Sequence, residues 1–321
     1  MYNLKLFSLN NLQNINSADI GMVLMIIAMF LLPIGDTVAK LLTDVISPLE
    51  ITMWRFIIQS VFLMFVAFML RSRLRGNMFS PIVALSGCLI AISVTTLISS
   101  FSAMPIATAI AIFFVEPLFL TLLAGILLKE KIGPRRLIAI GIGLMGALLV
   151  IRPSFVDFGF VAILPLVAGL AYALNMIVLR QASDKRSALT IQCGAAIYGS
   201  IIMIVLISVL SQLDIITPSV PSKFDSTWLS LIGAGGLAAI TFVLIAEAFR
   251  LSEAGALAPF QYLEIIGATA AGYLVFGDFP DAITWLGITI ILASGLYVFH
   301  REKKANQYQP ISAKARGEGA R

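Results

Sequence analysis

Residues 116–153 read EPLFLTLLAGILLKEKIGPRRLIAIGIGLMGALLVIRP. An apolar run ends in a short basic turn carrying Lys129, Lys131, Arg135 and Arg136, and a second apolar run, rich in glycine, follows it. Taken back to residue 103, the first run reaches bilayer-spanning length, about 18 residues or more, and so does the second over 133–151. Two lipid-crossing helices joined by a short cytoplasmic loop satisfy both the apolar length and the clustered positive charge. Strands are excluded, because a lone strand leaves backbone groups unpaired in hydrocarbon and a barrel strand needs only about half this length.

The pattern continues in both directions. Ten apolar segments are expected as helices, at 20–42, 48–70, 80–100, 103–128, 133–151, 158–180, 188–210, 227–249, 256–277 and 281–299. Composition agrees: 59% of the 321 residues are hydrophobic and 12% charged, against roughly 25% charged in a soluble domain. The formal net charge of +5 comes from short loops and the tail rather than from one face of a folded module, so no nucleic-acid partner is expected. Cys88 and Cys193 lie within apolar runs and His300 is the sole histidine. Neither a disulfide framework nor a metal site nor a cofactor is indicated.

Residues 1–19 lack the basic, apolar, small-residue pattern of a cleaved signal, so the first run is expected to stay as a helix. With that N-terminal segment inside, eighteen of the 22 Lys and Arg flank inner helix ends or the tail. Only Lys40, Arg152 and Lys223 fall outside, and Arg55 lies within a helix. Both termini are therefore expected in the cytoplasm. Residues 301–321 read as a basic, disordered tail drawn to an anionic leaflet.

Aligned with itself at an offset of 148, the chain superimposes Phe101 on Phe249, Glu116 on Glu264 and Thr121 on Thr269, and several Ile, Leu and Val pairs follow. Coincident apolar residues are weak evidence in membrane helices; paired glutamates are not. Two repeats of five helices, at 20–153 and 157–300, must insert with opposite orientation because five is odd. An all-α membrane protein of ten helices in two inverted halves is thus expected, with a site near the midplane where the halves meet.

A charge at the bilayer centre costs about 2.5–3.5 kcal/mol even on the lenient insertion scale. Glu116 stands at mid-depth and precedes Pro117, which has no amide to give the Phe113 carbonyl. Glu264 repeats the arrangement, with Pro259 about one turn earlier. Two kinks beside carboxylates fit a cavity-lining pair and candidate proton carriers; glutamates joining helices by hydrogen bonds are the structural alternative. Asp36 and Lys40, spaced i,i+4, are expected to pair, with Arg55 reaching Asp36 from the next helix, either as a structural ion cluster or facing a substrate. Trp54 and Gln59, Tyr172 and Asn175, and Gln261 and Tyr262 supply hydrogen bonds and flat faces at suitable depth, for packing or for a ligand. Glu247 and Arg250 read as an intrahelical pair at the membrane edge.

Gly141, Gly143 and Gly146 spell GxGxxG, but no strand precedes them and an apolar helix surrounds them, so close helix packing is expected instead of dinucleotide binding. No Walker sequence or nucleophile elbow occurs. A membrane enzyme would need clustered His, Asp or Cys near an interface, and no such cluster is present.

The stretch 116–153 and its counterpart FQYLEIIGATAAGYLVFGDFPDAITWLGITIILASGLYVF at 260–299 resemble the ends of the two repeats of EamA-type members of the drug/metabolite transporter superfamily. The resemblance covers about residues 20–300 and implies a secondary transporter of a small-molecule substrate in the bacterial inner membrane, with the third, fourth, eighth and ninth helices lining the path. The stretch IGDTVAKLLTDVISPLEITMWRFIIQ at 34–59 looks like members that include proposed riboflavin importers and S-adenosylmethionine carriers. The resemblance therefore implies uptake of riboflavin or a similar vitamin or nucleoside-like metabolite; S-adenosylmethionine transport, or export of amino acids or drugs, are alternatives on the same fold. Small residues on outer helix faces would suit a homodimer.

Overall fold

The computed structural model describes residues 17–129, 132–217, 226–252 and 254–317, and among these it is helical with no strand. The helices are α1 (Ser17–Leu42), α2 (Pro48–Met69), α3 (Pro81–Phe101), α4 (Ile106–Phe113), α5 (Glu116–Leu127) and α6 (Pro134–Phe158). They continue as α7 (Leu164–Ser183), α8 (Ala188–Gln212), α9 (Ser226–Leu251), α10 (Ala254–Gln261), α11 (Leu263–Phe276) and α12 (Ala282–Gly317). Local chemistry sets many ends. Proline occupies the first turn of α2, α3 and α6, where no amide donor is needed. Ser47 and Glu50 form a reciprocal capping box on α2. Gly277, in the left-handed region at φ 73°, ends α11.

Nine helical stretches among the described residues are long and apolar enough to cross a membrane, with α4 and α5 taken as one. The segments 103–128 and 256–277, each expected as one kinked helix, are instead each broken in two. The first break is a turn at Phe114 and Val115; the second is at Tyr262. Pro117 explains the first, since it cannot continue the ladder to the Phe113 carbonyl. Pro259 does not sit at the second break: it lies inside α10, exposed, three residues before the turn. At 8 and 14 residues, α10 and α11 are each too short to span alone. At the C-terminus, α12 runs on to Gly317 through the stretch whose composition points to a tail. That stretch is rich in Ala, Lys and Gln, which are strong helix formers.

Packing joins residues far apart in sequence: α1 lies on α9 and α11, α3 on α7 and α8, α2 on α8 and α9, α5 on α7, and α6 on α12. The α6–α12 contact is made by glycines. A Cβ on Gly146 would meet Ile290 Cγ2 at 2.7 Å and the Gly287 carbonyl at 3.1 Å, and one on Gly143 would collide with Leu118 and Ser294. Two of the three GxGxxG glycines thus serve close approach, while Gly141 faces open space. The half-helix α4 is buried at every position from Ile106 to Ile112, in the middle of the main core. Large apolar side chains such as Phe68, Ile138, Met145 and Leu274 point outward, as lipid requires.

Candidate functional site

The two helix breaks bring the expected polar residues together. Glu116 is the first residue of α5, and Glu264 lies in the first turn of α11. Gly169 of α7 packs against the first break: a Cβ there would stand 2.9 Å from the Phe113 carbonyl oxygen and 3.6 Å from the Glu116 nitrogen. The carbonyl freed by Pro117 therefore faces the one residue type that lets a helix come this near. On α11, Gly267 lies against Pro33 of α1 at 2.9 Å by the same measure, bringing the helix that carries Asp36 beside the one that carries Glu264.

Arg55 of α2 reaches Asp36 with a single contact of 3.5 Å, both side chains buried. Glu264, 8% exposed, lies within electrostatic reach of Asp36, Arg55 and Glu116. Tyr172 lies within reach of both glutamates, and Tyr262 of Glu116. Between the breaks runs a line of rings: Tyr172 meets Phe113 at 5.6 Å between centroids, Phe113 meets Phe114 at 6.1 Å, and Phe114 meets Tyr262 at 5.5 Å. Asp36, Arg55, Glu116, Glu264, Tyr172 and Tyr262 thus form one neighbourhood, with Gln261 at the adjoining end of α10. Among the described residues no set of acidic, Cys or His side chains is close enough to hold a metal ion.

Other expected members go elsewhere. Lys40 does not pair with Asp36. It donates to Asp278 at 3.0 Å and to the Met104 carbonyl at 3.1 Å, and stands 4.5 Å over the Phe276 ring. The reason is geometric: Arg55 occupies Asp36, and the last turn of α1 meets the loop after α11. Trp54 packs edge-on to Trp228 of α9 at 4.6 Å. Asn175 is fully buried between α3 and α7, where it accepts a 2.6 Å bond from Ser86 while its amide nitrogen has no partner among the described residues. Glu247 pairs with Arg250 at 2.7 Å and also with Arg73 from the turn after α2.

Sequence reasoning named the Phe113 carbonyl but missed the Phe113 ring, Phe114 and Gly169. The two phenylalanines directly precede the Val115–Glu116–Pro117 step, so their place beside the break was legible; Gly169 had no local signal. Asp278, 238 residues from Lys40, had none either.

An EamA-like transporter family model matches residues 19–152 and 159–299. The S-adenosylmethionine uptake transporter of Rickettsia prowazekii is 28% identical over 274 residues, covering 85% of this chain and 90% of its own. The riboflavin transporter of Vibrio cholerae is 30% identical over 203 residues, covering 63% and 65%. A crystal structure covering 87% of this chain and 94% of its own aligns with a TM-score of 0.57 at 15% identity, a likeness of fold alone. With both halves of the helical bundle matched, the chain belongs to the EamA-like transporter family and is a multi-pass membrane protein that transports a small molecule.

Proposed function

We propose that the chain is a secondary carrier that takes up a cationic nucleoside-like metabolite, S-adenosylmethionine, across the bacterial inner membrane by alternating access around the two helix breaks. The observation that carries this reading is the charge balance of the central neighbourhood. Two carboxyl groups, Asp36 and Glu264, lie within reach of one guanidinium, Arg55, and a third, Glu116, lies within reach of Glu264. A sulfonium beside Glu116 and the faces of Tyr172 and Tyr262 offsets part of that acidic excess, and an adenine ring suits the line of aromatic side chains. The names of the Rickettsia relatives point the same way. Riboflavin is the second reading, favoured by the same rings, which suit a flat isoalloxazine, and by the relatives in Vibrio cholerae and Rhizobium johnstonii.

Ten spans in two inverted halves supply the mechanism. Exchange of the halves carries the α1–α9 contact onto α7–α3, and α1–α11 onto α7–α5, while α2–α8 and α6–α12 map onto themselves. Thr121 and Thr269 each donate to the carbonyl four residues earlier, at 3.0 and 2.8 Å. Such symmetry supports rocking of one half against the other about a midplane site. Loop charge favours cytoplasmic termini.

The test is uptake into liposomes containing the purified protein, with labelled S-adenosylmethionine and riboflavin, with and without a proton gradient. S-adenosylmethionine should accumulate, and Glu116→Gln or Glu264→Gln should lower uptake and flatten its dependence on pH. Movement of riboflavin alone would replace the cargo; movement of neither, with both variants indistinguishable from the parent in cells, would remove the carrier reading.

A further inference from the structure

The central neighbourhood holds more hydrogen-bonding capacity than the protein itself uses. Arg55 is 8% exposed and carries five N–H donors in a planar fork. Its contact with described residues is the single 3.5 Å approach to one Asp36 oxygen. A guanidinium serving only as a structural partner closes on both carboxylate oxygens at about 2.8 Å; this one is left open. The side chain of Gln59, a residue 4% exposed and one turn along the same face of α2, makes no hydrogen bond to any described residue, and neither does that of Glu264. None of their polar atoms is among the fully buried side-chain atoms that lack a partner, so these groups keep some accessible surface through which a ligand can meet them. A positive fork flanked by two buried acids, with a free amide beside it, is the complement of a zwitterion.

We propose that this cluster receives the α-amino-acid end of the cargo, with Arg55 taking the carboxylate in place of its loose contact to Asp36, and Asp36 and Glu264 taking the ammonium. The proposal rests on the central site described above and adds an orientation to it. With the amino-acid end held between α1, α2 and α11, the sulfonium and the base lie toward Glu116, Tyr172 and Tyr262. The ion pair is thereby exchanged rather than broken: the ligand offers a carboxylate to Arg55 and an ammonium to Asp36, so binding strands neither member of the pair. Riboflavin has neither an ammonium nor a carboxylate and would leave Arg55 on Asp36.

The experiment is ligand-induced thermal stabilisation of the full-length protein in detergent, titrated with S-adenosylmethionine, its decarboxylated form and riboflavin. The decarboxylated form should bind roughly tenfold or more weakly, the loss expected for a charge-assisted bidentate contact. Arg55→Lys keeps the charge but not the fork, and the ratio between the two sulfonium compounds should fall toward unity. The double variant Asp36→Asn/Arg55→Gln, which removes the pair without stranding a charge, should lose the ratio as well. Equal binding of the two compounds by the parent protein, or a ratio that survives in both variants, overturns the zwitterion site while leaving the cargo intact. Binding of riboflavin alone overturns both.

Discussion

At the residue scale, the polar groups divide by what they touch. Asp281 precedes α12 and accepts the Thr284 backbone N–H at 2.8 Å, a helix cap outside the apolar span. Hydrogen bonding from the Thr284 side chain and backbone holds its carboxyl below its ordinary value. A depressed folded-state value means that this group stabilises the fold above its unfolded-state value, and that the contribution is lost as pH falls through the folded one. Asp281→Ala should therefore cost about 1 kcal/mol of helix-cap stability at neutral pH, and the gap should shrink in acid; thermal unfolding in detergent at the two pH values measures it. The central acids respond to a different logic. Their sequence signal was clear because the repeat pairs Glu116 with Glu264 and because charge in an apolar run is expensive. The partner of Lys40 was hidden, since the i,i+4 spacing to Asp36 suggested a local pair while the third dimension supplied Asp278.

At the element scale, the sequence announced where helices cross but not where they break. A proline in an apolar run marks a weakened ladder, and Pro117 does stand at the first break; Pro259 stands three residues short of the second. At the second break α10 and α11 both pack against α1, a long-range arrangement that no local pattern encodes. The glycines of α6 were legible as packing residues, though not which of them pack. That distinction gives a paired prediction. Gly146→Leu forces a side chain into Ile290 and Gly287, and overpacking of this kind costs about 1–3 kcal/mol. Gly141→Leu enters open space on the same helix and should leave the unfolding temperature unchanged. Loss of stability in both variants, read in the same detergent, would place the α6–α12 interface elsewhere.

At the scale of the whole molecule, the claim with most consequence is that the two halves are inverted, because alternating access by rocking follows from it. The stretches after α2 and after α8 occupy equivalent places in the two repeats. In an inverted pair they face opposite sides of the membrane; in a parallel pair they face the same side. Each offers an exposed residue with a short side chain, Ser72 after α2 and Thr217 after α8. The native cysteines Cys88 and Cys193 lie within α3 and α8 and can be replaced by serine or alanine to give a silent background. In that background Ser72→Cys and Thr217→Cys should label with a membrane-impermeant maleimide from opposite sides: the first only in inside-out vesicles, the second only in right-side-out ones. Loop charge predicts the sides, since Arg71, Arg73 and Arg75 surround Ser72 while the flank of α8 has none before Lys223. Labelling of both from one side would refute the inversion. Labelling from opposite sides in the reverse sense would keep the inversion and turn the protein over, with α4, buried from Ile106 to Ile112, on the cytoplasmic rather than the outer side of the first break.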